Sequence, residues 1–131
     1  MTRFAIDALT AIELARRGID GSGEHKLVAP SPLRSQVLSM LYGRARSGEL
    51  SAAEAKHLLD GVTTMNIRLL GDRVSRGTAW KLAERLGLDD TPLAEYLAVA
   101  QLQADVIVAL DPALAELADG IIEVASIDAI G

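Results

Sequence analysis

The chain contains no cysteine, which removes disulfides, thiolate metal sites and a cysteine nucleophile. That absence fits a reducing compartment, and a cytoplasmic protein is expected. Aromatic residues make up only 3% of the chain, with a single Trp and a single Phe, so its core has to be assembled from Ala, Leu, Ile and Val. No apolar run approaches the ~20 residues of a membrane span, and the first residues lack the basic-then-apolar layout of a secretion signal. No membrane partner is expected. An excess of positive charge is missing too: the formal net charge is −5. This argues against broad, passive binding to nucleic acid, while leaving open a local cationic rim or contact through metal ions.

What is present suffices for one domain over residues 1–131. Half of the residues are hydrophobic, and a chain of this length buries roughly two-thirds of its unfolded surface. Arg3 to Ile6 reads as a short buried strand, followed by a helix from about Leu9 to Arg17. Gly18 to Lys26, rich in glycine and charge, is the one loop long enough to be mobile. Leu27 to Ala29 is a very short strand or an extended lead into the next helix. Pro30 and Pro32 suit a helix start near Leu33, with the stop at Gly48. Ser51 and Glu54 have the spacing of a capping box, opening a helix to about Thr64. Asn66 to Leu70 reads as a strand and Asp72 as an N-cap. Ala79, Leu82, Ala83 and Leu86 follow at helical spacing, with Gly87 as a stop. Thr91 and Pro92 open a helix to about Ala104. Strand Asp105 to Leu110, a helical turn through Ala118 and strand Ile121 to Ile127 close the chain. The alternation predicts an α/β fold, with a mainly parallel central sheet of four to five strands and helices on both faces.

Two of these strands run straight into an aspartate. Phe4, Ala5 and Ile6 lead into Asp7; Val106 to Leu110 lead into Asp111, with Pro112 behind it. Parallel α/β sheets bind ligands at the carboxyl ends of their strands, so two carboxylates there read as half of a metal site. The plainer alternative is that each caps the helix after it. His25 and His57 fall outside any ligand spacing, and His57 reads as a surface residue. Trp80 adjoins the apolar stripe of its helix and reads as packing rather than base stacking. Arg34, Arg44 and Arg46 either meet RNA phosphate or coat a solvated helix face.

The order of an opening strand ending in Asp, a "P-x-L" lead into a helix, a late "A-E-Y-L-A-V-A" helix and then "V-I-V-A-L-D-P-A-L-A" resembles the PIN-domain family. In particular it is similar to the VapC-like toxins of bacterial toxin–antitoxin pairs. The resemblance spans nearly the whole chain and implies a single PIN-like domain. It implies Mg²⁺- or Mn²⁺-dependent endoribonuclease activity, RNA as substrate, an antitoxin protein as partner and a homodimer. Four acidic residues normally hold the metal in that family. Asp7 falls on the first and Asp111 on the one that ends the late strand, which makes these two the implied catalytic and metal residues.

The other positions depart from the pattern: Gln36 stands at the second, Leu93 replaces the third, and Ala109 stands where a hydroxyl residue is usual. The expectation is a degenerate site with weak or absent nuclease activity and with Mg or Mn weakly bound or absent. Asp90, about one turn before Leu93, is the one acid placed to substitute, with Asp89 a weaker candidate. Both also suit the helix N-terminus, where the dipole favours negative charge. Gln36 lies at the edge of the stripe formed by Leu33, Val37, Met40 and Leu41, either in a cleft or on a solvated flank. Three readings follow. The first is a decayed nuclease. The second is an active endoribonuclease toxin using Asp7, Asp111 and Asp90, with Gln36 as a neutral ligand. The third is a non-cleaving RNA-binding or regulatory protein.

Overall fold

The computed structural model covers residues 1–131. Its elements alternate as β1 (Arg3–Ile6), α1 (Ala8–Arg16), β2 (Lys26–Pro30), α2 (Leu33–Arg46), α3 (Ala52–Thr64), β3 (Ile67–Leu70), α4 (Arg73–Leu86), α5 (Pro92–Gln103), β4 (Val106–Val108) and α6 (Pro112–Ala118). A 3-10 turn at Ile127–Ala129 ends the chain. All four strands are parallel and lie in the order β3-β2-β1-β4. Phe4, Ala5 and Ile6 of β1 and Val106, Ile107 and Val108 of β4 are all buried. Such uninterrupted apolar strands mark a parallel sheet covered on both faces.

The chain walks outward from β1 to β3 and then returns to lay β4 on the other side of β1. Right-handed crossovers therefore place α1, α2 and α3 on one face, where they pack against one another, and α5 on the other, where it contacts β1 and β2. The α4 helix packs mainly on α5. Helix α5 is thus held between sheet and helix, which explains why Tyr96, Ala98 and Val99 are buried along with Leu97 and Ala100. A helix covered on two sides buries more than one apolar stripe.

Local signals set most boundaries. Ser51 and Glu54 form the reciprocal capping box, Asp72 caps α4 through the Ser75 amide, and Gly87 ends α4 in the left-handed conformation.

Several expectations do not survive. The strand read at Ile121–Ile127 is reduced to a single parallel bridge between Ile107 and Val124, held by Ile107 N–H to Glu123 O and Ala125 N–H to Ile107 O. With β4 only three residues long, the edge offers no longer partner. The loop long enough to be mobile is anchored in its first half: the Asn66 amide donates to Asp20 O at 2.8 Å and Gly21 is buried. At Gly21, φ is +78° and a Cβ would sit 2.5 Å from the Asn66 carbonyl oxygen, so only glycine fits. Trp80 is outside the core and 66% exposed. Arg34 does not face outward: its guanidinium donates to Met65 O at 2.9 Å and to Val62 O at 3.4 Å. It thereby caps carbonyls at the end of α3, where a cation is favoured.

Candidate functional site

The return of the chain from β3 to β4 makes the β1–β4 junction the point where strand order reverses, the usual place for a ligand crevice in such sheets. Ile6 is in register with Val108, so the residues just beyond them meet. The Asp111 amide donates to Asp7 Oδ2 at 2.9 Å. Around this junction lies a cavity of about 330 Å³, lined by Asp7, Ala8 and Leu9 after β1, Gln36, Ser39 and Met40 of α2, Pro92, Leu93 and Tyr96 of α5, and Asp111 and Leu114. Asp7, Gln36, Leu93 and Asp111 therefore share one crevice. Asp90 does not line it; it sits exposed in the turn before α5. Ala109 follows β4 and is half-buried.

Asp7 is only 3% exposed. Its Oδ1 accepts from Thr10 N–H at 2.9 Å and, at a longer 3.4 Å, from Leu110 N–H. The Thr10 hydroxyl lies 2.5 Å from the same oxygen and 3.0 Å from Val108 O. Its single proton goes to the carboxylate, the stronger acceptor. A carboxylate has about four lone-pair directions. Those of Asp7 Oδ1 are fully engaged by its own chain, and only Oδ2 keeps one free. Asp7 is thus both the N-cap of α1 and the pin between β1 and the β4–α6 turn.

Asp111 is less enclosed. Its Oδ1 caps α6 through the Ala113 amide at 2.9 Å. Both aspartates consequently do the capping expected of the plainer alternative while also facing the cavity. No Lys or Arg forms an ion pair with either.

Across the cavity, the Tyr96 hydroxyl donates to Gln36 Oε1 at 2.5 Å. This bond ties α5 to α2 and occupies the one neutral oxygen that Gln36 offers. Burial, then the nearby charges of Asp7 and Glu95, push the Tyr96 phenol well above its ordinary pKa, so it stays a donor. Thr10 and Tyr96 are the polar partners that strand-end reasoning leaves out. Thr10 carries a local signal, since a hydroxyl three residues after an N-capping Asp is placed to bond it. The partnership of Tyr96 with Gln36 spans 60 residues of sequence and carries none.

The arrangement can hold a small polar or cationic group between Asp7 Oδ2 and the Asp111 carboxylate, against apolar walls of Leu9, Met40 and Leu93. As a catalytic site for a divalent ion the donor set fits poorly. No group of three or more His, Asp or Glu side chains converges, Gln36 Oε1 already accepts a bond, and Leu93 donates nothing. No helix is long and apolar enough to cross a membrane. No protein-family model matches the chain, and no curated protein matches it.

Proposed function

We propose that the chain is a VapC-like PIN domain whose metal-dependent ribonuclease site has decayed, leaving the crevice without the ability to cut. One observation carries this reading: the Asp7 carboxylate is bonded by four donors of its own chain, while Gln36 and Leu93 stand where acids would complete a metal site. Mg²⁺ takes one or two carboxylates plus waters and substrate phosphate, and its catalytic work is to generate a nucleophile and clamp phosphoryl oxygens. With one free lone pair on Asp7 and one partner carboxylate, Mg²⁺ or Mn²⁺ is held weakly. On the same reading the protein acts in the cytoplasm as a homodimer with an antitoxin partner.

The test is repair. The parent, incubated with RNA and Mn²⁺, is expected to give no metal-dependent cleavage, and 1 mM Mn²⁺ shifts its melting temperature little. The double variant Gln36→Glu with Leu93→Asp adds two anions beside Asp7 and Asp111. It melts lower than the parent in EDTA and regains part of that loss in Mn²⁺. RNA cleavage by the parent that requires Mn²⁺ and disappears in Asp111→Asn would return the protein to the active toxins.

A further inference from the structure

Away from the crevice, the outer face of α4 carries an arrangement that folding does not use. Arg73, Arg76, Lys81 and Arg85 lie on this one helix against the single acid Glu84, in a chain whose net charge is −5. None of the four takes part in an ion pair; the molecule's ion pairs join other residues. Among them stands Trp80, 66% exposed. The only ring contact in the molecule is that of Phe4 with His25, so no aromatic ring of the chain stacks on the indole. Trp80 follows Arg76 by four residues and Arg73 by seven, which sets all three on the same outward face.

Gly77 lies between them, also exposed, and a Cβ built there would meet nothing within 4 Å. Glycine is a poor helix former, and no packing within the chain requires it here. It leaves a bare spot on the helix where another backbone can come close. From Arg73 to Trp80 the face runs about 10 Å.

We infer that the outer face of α4 is a docking platform for single-stranded nucleic acid, with a base stacked on Trp80 and phosphates met by Arg73 and Arg76. A single strand needs what this face has: an exposed aromatic surface bracketed by unpaired cations. A helical or extended protein segment needs a continuous apolar stripe, and that is missing. Val74, the other exposed apolar residue of α4, lies about 120° round the helix from Trp80 and borders a different hollow with Leu102. Three acids bound the platform: Asp72, the N-cap just before Arg73 and close enough to feel the charge of Arg76, Glu84 and Glu95. Glu84 lies one turn beyond Trp80, and Glu95 shares a small cavity with Arg76. The inference does not rest on the decayed-nuclease reading, because it uses no residue of the crevice.

Trp80 is the only tryptophan, so intrinsic tryptophan fluorescence reports this face alone. Titration with a twelve-nucleotide oligouridylate at 50 mM salt is expected to quench it saturably, with a dissociation constant on the order of 10⁻⁵ M. Oligothymidylate serves as the DNA counterpart. Heparin and polyglutamate, which are anionic but carry no bases, leave the indole emission nearly unchanged. By anisotropy of labelled oligouridylate, Trp80→Ala weakens binding about tenfold and Trp80→Phe less. The pair Arg73→Gln with Arg76→Gln lowers the slope of log affinity against log salt by about 1.4. Melting curves of these surface variants should overlay that of the parent. Absence of saturable quenching up to millimolar oligonucleotide, or a Trp80→Ala variant that binds as well as the parent, overturns the inference. Polyglutamate that binds as tightly and quenches as strongly also overturns it, and assigns the face to an acidic protein.

Discussion

At the ends of β1 and β4, Asp7 is almost wholly enclosed and accepts from Thr10, Leu110 and Asp111, whereas on α4 four cations stand in water without an ion-pair partner. Both regions look functional when charges alone are counted. Their difference lies in what surrounds the charge. A buried carboxylate has to be satisfied inside the protein, because an unpaired one is costly, and satisfying it leaves little for a ligand. An exposed guanidinium is satisfied by water, which a phosphate can displace. The crevice charges hold the fold together; those of α4 remain available.

The sharpest test of that contrast is Asp7→Ala. It orphans four donors and removes the N-cap of α1, and urea unfolding is expected to show a loss of about 3–5 kcal/mol. On the other side, Trp80→Ala should change stability by no more than about 0.5 kcal/mol. Comparable losses at the two sites would erase the distinction between an engaged and an idle polar surface.

Arg34→Ala asks whether a cation can also belong to the engaged class. Losing its bonds to Met65 O and Val62 O should cost about 1–2 kcal/mol. Arg46, exposed and free of ion pairs on the same helix, should cost nothing measurable when replaced by Ala.

Tyr96→Phe, read by ultraviolet titration, examines the crevice from its other wall. The parent should show a phenolate phase above the ordinary tyrosine range, since burial first and the charge of Asp7 second hold the proton on. Because the folded pKa is the raised one, this contribution is complete below about pH 10 and fades as pH rises beyond it. The variant should lack the late phase and lose about 1 kcal/mol with the Gln36 bond.

The smallest effect belongs to Glu13. Hydrogen bonds first from Arg16 and then from Arg17 lower its pKa to about 2, from an ordinary 4.5. A depressed carboxylate stabilises the fold above pH 4.5, and that contribution drains away as pH falls from 4.5 through 2. The cluster lies at the surface, where solvent screens it, so Glu13→Gln should flatten the acid limb by less than about 1 kcal/mol. Added salt should shrink the difference further.

Features that act over one or two turns were legible in the chain. The Ser51–Glu54 box, the Asp72 cap and the Gly87 stop lie where the spacing puts them, and the two strand-end aspartates follow from short apolar runs meeting acids. Trp80 was not legible, because adjacency to Ala79 and Leu82 suggests burial. Helix α4 is supported mainly by α5, so its core face closes around Ala79, Leu82 and Ala83 and leaves Trp80 outside. Arg34 was misread for a similar reason: its partners are carbonyls of α3, brought near only by helix packing. The fifth strand failed because alternation at Ile121–Ile127 says nothing about how short an edge β4 offers.

The sequence by itself determined the α/β class, most helix starts and the placing of Asp7 directly after β1 and of Asp111 shortly after β4, which is Val106–Val108 rather than Asp105–Leu110, because caps, turns and apolar periodicity operate between residues a few positions apart. Tertiary structure alone decided which polar groups are already occupied. The Leu110 amide reaches Asp7 across 103 residues, Tyr96 reaches Gln36 across 60, and the Asp111 amide reaches Asp7 across 104. A hydrogen bond depends on a separation of about 3 Å in space, and only the packed sheet and helices set that distance.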